Sequence, residues 1–530
     1  MTATDKKHIE TADRTEELIK SFLLKEEKYL SEIDLLKEQI KLLKAALFGK
    51  KSEKKPVEND RQLTFFDSIK VLPENILSDD EEIEIKPHTR KKRGRKPIPD
   101  NLPRVEVIHD IDEKDKKCEC GCMKSCIGRE ESEQLDIIPA KIRVIKNVRL
   151  KYACKACEGV ESNGPTVITA QMPEQIIQKC IGTPGLIAHV LIAKFVDALP
   201  FYRQEKQFSR IGVKIPRATM CNWAQKIADS FDLLLEIMRK EILSGPLINI
   251  DETTVQVIKE PGRSSQTKSY MWVFQGGPPE KTCIIFEYHP TRSGDAASKF
   301  VKNYKGVVQT DGYAGYNFLD KLEHIIHAGC FAHSRRKFCE VIKAAGKSKG
   351  GIKKKGYADQ AINYIRKLYK IEKEAKLENI TGDALYKLRQ EKTKPVLSEF
   401  KEWLDAVSKI TPPTGLLGKA VNYTLNQWHR LIAYADTSCA SPDNNLAENA
   451  VRPFVLGRKN WLFSYTPEGA SASAALYNII ETAKANNIEP YWYLRHLLEK
   501  LPDALHEEDY KALLPQYINK NVLPDINSIS

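Results

Sequence analysis

Residues 246–316 follow an order of secondary structure that few folds accommodate. The segments PLINIDETTVQVI, SYMWVFQGG and KTCIIFEYHP are rich in β-branched and aromatic residues and lie close together, which predicts three strands. The segment GDAASKFVKNY has the pattern of a helix, and KGVVQTDGYAGY begins as a fourth, buried strand. An α/β core is therefore expected in this part of the chain.

Three strands, a helix and a fourth strand are the order of a ribonuclease H-like core. In such a sheet Asp251 and Asp311 would lie on or just after neighbouring strands. Hard cations such as Mg²⁺ bind carboxylate oxygens together with substrate phosphate. The two residues are therefore a candidate metal site, whereas either aspartate alone would be read as an ordinary turn residue.

A second polar group occurs in the segment SPDNNLAENAVRPFVLGRKNW, residues 441–461. On a helix Asn445, Glu448, Asn449 and Arg452 have the spacing of one face, so the two amides are expected to orient the Glu448 carboxylate. The alternative is an exposed helix face with salt bridges across one turn.

The length and net charge of the chain limit the classes of protein to which it can belong. A chain of 530 residues is too long for one hydrophobic core, so several domains are expected. No run of 18 apolar residues occurs and the first residues are polar, which predicts neither a membrane span nor a secretory signal and favours the cytoplasm. The net charge of +12 points to a polyanionic partner.

Residues 16–48 repeat apolar side chains in alternating steps of three and four. This heptad pattern predicts a coiled coil through which the chain forms a homodimer or a higher oligomer. A helix docked on its own domain is the alternative.

A basic segment, KPHTRKKRGRK at residues 86–96, carries seven Lys or Arg and no acid within a stretch that lacks periodicity. We interpret it as a flexible linker with an arm similar to an AT-hook, which would place arginines in a narrow minor groove. A non-specific tether to phosphates is the alternative. The candidate DNA-binding residues of the arm are Arg90, Lys91, Lys92, Arg93, Arg95 and Lys96.

Two groups of cysteines, CECGCMKSC at 118–126 and YACKAC at 152–157, predict a structural zinc site. The second group supplies the pair Cys154 and Cys157, whereas the first is crowded. We favour Cys118 and Cys120 as the other ligands, with Cys122 as the substitute. The alternating sequence between the groups, residues 133–154, predicts the short strands of a zinc ribbon.

Residues 183–245 have the pattern of helices separated by turns. Thr183 is expected to cap the first of them, with Pro184 in its first turn. The segment SRIGVKIPRATMCNW has the spacing of a helix-turn-helix, with Gly212 in the turn and Arg217 at the start of the second helix, where it is a candidate DNA contact. A plain helical bundle is the alternative.

These features occur together in one family. The chain resembles the insertion-sequence-66 family of DDE transposases over nearly its whole length. The motifs that carry the resemblance are FGKKSEK, RGRKPIP, YACKACEG, PFYRQEKQFSRIGV, INIDETTVQV, QTDGYAGYN, GCFAHSRRKF, LAENAVRPFVLGRKNWLFS and ETAKANNIEPYWYLRHLL.

The resemblance implies that Asp251, Asp311 and Glu448 are the DDE triad. It implies two divalent metal ions, Mg²⁺ or Mn²⁺, at this triad, structural Zn²⁺ at the paired cysteines, and accessory proteins of the same element. The activity implied is hydrolysis at the ends of the element and transfer of the 3′-hydroxyl into target DNA, at the nucleoid of a bacterium. Candidate DNA contacts near the triad are His333, Arg335, Arg336, Arg452, Arg458 and Lys459.

The expected architecture is multidomain. Its predicted parts are a coiled coil at 1–49, a basic linker at 50–103, a small zinc-binding β module at 104–165, a helical DNA-binding segment at 166–245, a ribonuclease H-like core at 246–470 with a helical insertion at about 340–440, and a C-terminal domain at 471–530. The competing functions are a DNA nuclease with the same core and a catalytically silent DNA-binding regulator.

Overall fold

The computed structural model describes residues 33, 40, 142–153, 167–345 and 356–524. The chain divides into two compact units, of which the larger comprises residues 1–66 and 176–518. Ile33 and Ile40 are helical and exposed. The rest of the predicted coiled coil, the basic arm and all the predicted zinc ligands lie outside the described residues, so these features stay predictions.

The smaller unit, residues 67–175 and 519–530, contains one described strand pair. Strand β1 (Lys151–Ala153) pairs antiparallel with β2 (Val167–Thr169). The alternating pattern also predicted strand over residues 142–150, and this was wrong, because these residues form no regular structure and their side chains are exposed. Alternation defines a face only where another strand or a core covers it, and among the described residues backbone pairing reaches only the end of this segment, where the Ala170 amide donates to the Leu150 carbonyl at 3.0 Å.

Four helices precede the sheet of the larger unit: α1 (Pro184–Phe195), α2 (Phe201–Arg210), α3 (Arg217–Asp229) and α4 (Asp232–Ser244). The Thr183 side chain accepts a hydrogen bond from the Leu186 amide, which confirms the predicted cap. Gly212 has a φ of 82°, a conformation that glycine adopts without strain, so the chain turns there between α2 and α3 as predicted.

The five-stranded sheet has the order β5-β4-β3-β6-β7. Its strands are β3 (Leu247–Gln256), β4 (Lys268–Gly276), β5 (Cys283–His289), β6 (Gly306–Gln309) and β7 (Ile325–Ala328). Strands β3, β4 and β5 are antiparallel neighbours, whereas β6 and β7 run parallel to β3. The four predicted strands and the predicted helix, α5 (Asp295–Phe300), are confirmed.

The fifth strand was not predicted. Strand β7 has only four residues, and a run so short gives no period that distinguishes strand from helix. A 3₁₀ helix (Ala314–Lys321) connects it to β6.

Helices fill the region after β7, as the predicted insertion requires. They are α6 (Phe331–Ala345), α7 (Tyr357–Leu377), α8 (Gly382–Leu388), α9 (Lys394–Ile410), α10 (Leu416–Asn426) and α11 (Trp428–Ile432). All of them except α8 contribute to one hydrophobic core, which includes Phe338, Ile365, Phe400 and Val421. In the described part of the chain, no helix combines the length and the hydropathy needed to cross a bilayer.

The chain then returns to the sheet through α12 (Asn445–Trp461) and α13 (Pro467–Ala485), and ends with α14 (Pro490–Lys500) and α15 (Glu507–Leu513). Helix α13 covers the edge strand β5, because the Thr482 and Asn478 side chains accept hydrogen bonds from the Ile284 and Phe286 amides at 3.0 and 2.5 Å. The predicted boundary at residue 471 falls inside this helix.

Candidate active site

The register of two parallel strands brings the two predicted aspartates to the same level of the sheet. Asn249 of β3 is opposite Gln309 of β6. Asp251 and Asp311 each follow two residues later, so they lie on the face of the sheet that carries these amides. The Asp251 carboxylate accepts a hydrogen bond from the Glu252 amide, and the Asp311 carboxylate accepts one from the Tyr313 amide, both at 2.9 Å.

The third predicted carboxylate, Glu448, lies in the first turn of α12 and is only 4% exposed. Burial raises the pKa of Asp251 well above its usual range, and the negative charges of Glu252, Glu448 and Asp311 raise it further. Because charges act at this strength only over short distances inside a protein, the three predicted residues lie close together.

The other two carboxyl groups are perturbed in the same direction. Burial raises the pKa of Asp311, although the Tyr313 amide and the Arg292 guanidinium oppose the effect. Burial also raises the pKa of Glu448 to about 8, with Arg336 acting in the opposite direction and Asp443 and Asp311 adding to the rise. Nearby guanidinium groups thus offset the negative charges of these buried carboxyl groups only in part.

The carboxylate oxygens at this site are suitable ligands for hard divalent cations. Among the described residues, none donates a hydrogen bond to either oxygen of the buried Glu448 carboxylate. A buried carboxylate without donors is costly unless a cation compensates it. Oxygen ligands from Asp251, Asp311 and Glu448 are the kind that Mg²⁺ and Mn²⁺ prefer.

A network of buried amides that the sequence analysis missed connects the elements that carry these carboxylates. The Asn249 amide donates to Gln309 Oε1 at 3.2 Å and to Asn444 Oδ1 at 2.9 Å. The Asn444 amide donates in turn to the Ile250 carbonyl at 2.8 Å. Asn444 immediately precedes α12, so the network fixes the start of the Glu448 helix against β3 and β6. Polar residues at alternate positions of otherwise apolar strands, as in INID and VVQTD, are the signal that identifies such a network.

We expect Asn444→Leu to lower the free energy of unfolding by roughly 2 kcal/mol or more, because Asn249 would lose a buried acceptor. Asn445→Leu is the matched control, since the neighbouring Asn445 side chain is exposed. Urea unfolding of both variants measures the effect. Equal midpoints would show that the amide network does not hold the helix.

A further buried acid, Glu252, follows Asp251 and was also missed. Its carboxylate accepts hydrogen bonds from Arg292 and from the Tyr316 hydroxyl. Burial raises the pKa of Glu252 to about 7, Asp311 adds to the rise, and Arg292 opposes it. The Arg292 guanidinium lies 3.7 Å from the centre of the Tyr313 ring. Because Tyr313 lies two residues after Asp311, this cluster supports the loop of Asp311.

The predicted DNA-binding residues on α6, which are His333, Arg335 and Arg336, lie in two different environments. Arg336 lowers the pKa of Glu448, and His333 Nδ1 lies 3.7 Å from Glu448 Oε1, so both residues adjoin the carboxylates. Burial, together with the charges of Arg336 and Lys337, lowers the pKa of His333 to about 3, which keeps its imidazole neutral. Burial raises the pKa of the Cys339 thiol and Arg335 opposes this rise, so Arg335 adjoins Cys339, one turn further along the helix.

The other predicted contacts differ in exposure. Arg452 adjoins Glu448 and lowers its pKa. Arg458 donates hydrogen bonds to Thr254 of β3, at 2.6 Å to its hydroxyl, and so fixes α12 to the sheet. Lys459 is exposed at the end of α12, and Arg217 is exposed at the start of α3.

The prediction that Asn445 and Asn449 orient Glu448 was wrong. Both side chains are exposed, whereas Glu448 is buried beside Ala447 and Val451 on the face that meets the protein. Successive helical residues differ by about 100°, so the buried face takes Glu448 and turns its neighbour Asn449 outward. The amide that holds this helix is Asn444 instead.

Family models match most of the chain. The model described as "Transposase IS66 family" matches residues 179–472. Models described as "Transposase C of IS166 homeodomain", "zinc-finger binding domain of transposase IS66" and "IS66 C-terminal element" match residues 35–107, 115–158 and 479–516.

Similar proteins occur in Sinorhizobium fredii (strain NBRC 101917 / NGR234). "Uncharacterized protein y4qI" is 27% identical over 492 residues, which cover 90% of this chain and 87% of the relative. "Uncharacterized protein y4jD" is 28% identical over 485 residues, which cover 88% of this chain and 91% of the relative. The similarity therefore extends over nearly the whole length of all three proteins.

Proposed function

The chain belongs to the IS66 transposase family, and on this basis we propose that it cleaves DNA at the ends of its element and joins the freed 3′-hydroxyl to target DNA. The proposed catalytic residues are Asp251, Asp311 and Glu448, in a ribonuclease H-like core. The cluster of these three buried carboxyl groups, contributed by β3, by the residues after β6 and by the first turn of α12, is the observation that carries the proposal.

The order of the sheet supports a ribonuclease H-like core. Three antiparallel strands are followed by a parallel strand that pairs with the first of them, which gives the order β5-β4-β3-β6-β7. The two aspartates occupy the first strand and the end of the parallel strand beside it. In open sheets the ends of neighbouring parallel strands are a common place for a site.

The three carboxylates would hold Mg²⁺ or Mn²⁺, which activates an attacking oxygen and stabilises the charge on the leaving oxygen when bound. The protein's own contribution is a fixed arrangement of ligands. The amide network holds β3, β6 and α12 together, and Glu252 with Arg292 supports the Asp311 loop. Because Arg336 and Arg452 adjoin Glu448, they are suited to contact the phosphates of bound DNA.

The same geometry serves both proposed reactions. Water is the nucleophile when the end of the element is cut, and the 3′-hydroxyl of the cut end is the nucleophile when it joins target DNA. Each step breaks one phosphodiester bond, and in the second a new one forms. Neither step requires a covalent bond between DNA and the protein. The carboxylates therefore need only hold the cations, and through them the reacting groups, in position.

The N-terminal parts are proposed to bring DNA to this centre. The zinc-finger model covers residues 115–158, which supports zinc binding by the paired cysteines. We propose that the coiled coil pairs two chains, that the arm around Arg93 holds DNA, and that α3 contacts DNA through Arg217. Accessory proteins of the same element and a place at the bacterial nucleoid belong to the same proposal.

The test is incubation of the purified chain with Mg²⁺, labelled DNA that carries both ends of the element, and supercoiled target DNA. We expect labelled products in which the end of the element is joined to target. Cut ends that never join would identify a nuclease. DNA binding without cutting, in the presence of the accessory proteins of the element, would identify a regulator and contradict the proposal.

A further inference from the structure

Three potential soft-metal ligands meet beside the carboxylates. Cys330 Sγ, a ring nitrogen of His333 and a carboxylate oxygen of Glu448 all lie within 4.8 Å of one another. Cys330 and Glu448 are buried, and His333 is partly buried. Hard cations such as Mg²⁺ disfavour thiolates, so the oxygen-ligand chemistry proposed above gives no role to the Cys330 thiol.

The spacing of the nitrogen and oxygen atoms is close to that of one coordination sphere, and the sulfur lies within 4.8 Å of both. For tetrahedral zinc, nitrogen and oxygen ligands at their usual bond lengths lie roughly 3.4 Å apart, and sulfur and nitrogen lie roughly 3.6 Å apart. His333 Nδ1 and Glu448 Oε1 are 3.7 Å apart. Only a few tenths of an ångström therefore separate this pair from ligand geometry.

Burial and the negative charge of Glu448 raise the pKa of the Cys330 thiol, and two backbone amides oppose this rise, so a thiolate here requires a cation beside it. The Asn444 backbone amide donates to Cys330 Sγ at 3.2 Å, and the backbone amide of His333 donates to the same atom. Cys330 immediately precedes helix α6, whose first amides point toward it. Hydrogen bonds of this kind orient metal ligands and stabilise their negative charge.

We propose that Cys330, His333 and Glu448 bind a thiophilic divalent cation of the zinc class. Binding forms bonds from the cation to sulfur, nitrogen and oxygen, and below about pH 8 the Cys330 thiol and the Glu448 carboxyl group each release a proton to solvent. A fourth position stays open, as in sites with three protein ligands. This site is separate from the paired cysteines near the N-terminus, and its metal affinity does not depend on the proposed DNA chemistry.

The arrangement has a consequence for Glu448. A carboxylate has two oxygens, so Glu448 can be a ligand for this cation with one of them and face the proposed catalytic cations with the other. Arg336 is the competing positive charge in the absence of metal, because it adjoins both Glu448 and Cys330. Zinc binding would therefore add a second positive charge beside the same carboxylate.

The test is the zinc content of the full chain after equilibrium dialysis against Zn²⁺, compared with Cys330→Ser, His333→Gln and Cys339→Ser. Cys339 is the matched control because it lies on the same helix, outside the cluster. We expect the wild type and Cys339→Ser to hold one zinc ion more per chain than the other two variants. Zinc at the paired cysteines is common to all four proteins and cancels.

Equal zinc content in all four proteins would overturn the proposal, and so would a loss in Cys339→Ser that matches the loss in Cys330→Ser. Circular dichroism establishes that each variant is folded. If Cys330→Ser does not fold, His333→Gln decides the outcome, because its side chain is partly exposed and its replacement leaves the buried thiol in place.

Discussion

Asp251→Asn is expected to reduce the rate of DNA cleavage by roughly 1,000-fold or more, because the loss of one carboxylate from a site for divalent cations removes several kcal/mol of stabilisation of developing charge. The substitution keeps the shape of the side chain, and an asparagine amide at this position can still accept the hydrogen bond from the Glu252 amide. DNA affinity should therefore change by no more than a few-fold. Single-turnover cleavage of labelled DNA and a gel-shift titration measure the two quantities.

The matched control for this experiment is Asp405→Asn. Asp405 pairs with Lys401 on the surface of helix α9, and its side chain is 47% exposed. Its replacement should leave the cleavage rate within a factor of two of wild type. A cleavage rate for Asp251→Asn that matches that of Asp405→Asn would remove Asp251 from the catalytic site.

Glu448→Gln is expected to stabilise the metal-free protein at alkaline pH. Burial raises the pKa of Glu448 to about 8, from a usual value of 4.5. Below pH 4.5 the carboxyl group is protonated in both the folded and the unfolded chain. Between pH 4.5 and 8 the unfolded chain releases the proton and the folded chain keeps it, so the stability of the wild type falls as the pH rises through this window.

Glutamine carries no proton to release, so the variant lacks this decline. At pH 8 we expect its free energy of unfolding to exceed that of the wild type by about 4 kcal/mol, relative to the difference at pH 4. All other titrating groups are common to both proteins and largely cancel. Urea unfolding in the presence of a chelator, at several pH values, measures the difference.

Divalent cations should reverse this order of stability. A cation that binds the ionised carboxylates stabilises the folded wild type more than the variant, by an amount that rises with the logarithm of its concentration above the dissociation constant. With saturating Mn²⁺ the advantage of Glu448→Gln at pH 8 should shrink or change sign. A difference between the two proteins that is independent of both pH and Mn²⁺ would mean that Glu448 is not a buried, uncompensated acid.

The strands were accessible to sequence reasoning because their residues are buried on both faces. In β3, for example, the apolar side chains of Ile248, Ile250 and Val255 are at most 1% exposed. Such a run of buried apolar residues is typical of a strand inside a sheet and not of a turn or loop. The same reasoning placed Asp251 in the first predicted strand and Asp311 just after the fourth, which are their positions in the structure. Strand β7 was missed because four residues carry no measurable period.

The partners of the carboxylates were harder to predict, because they depend on long-range packing. Asn444 meets Asn249 across 195 positions of sequence, and no local spacing relates the two residues. Cys330 and Glu448 likewise come together only when α6 and α12 pack beside the sheet. The local pattern instead predicted that Asn445 and Asn449 orient Glu448. A helical period indicates which residues share a face, but it does not indicate which face is buried.

The most direct test of the central proposal is a change of metal preference by Asp311→Cys. Sulfur is a poor ligand for Mg²⁺ and a better one for Mn²⁺, so an active-site carboxylate that binds the cation should show this preference in the reaction itself. We predict that the variant does not cleave labelled DNA with Mg²⁺ and regains cleavage with Mn²⁺, while the wild type is active with both. Cleavage by Asp311→Cys in Mg²⁺ at the wild-type rate would contradict a metal-binding role for Asp311 and, with it, the proposed catalytic site.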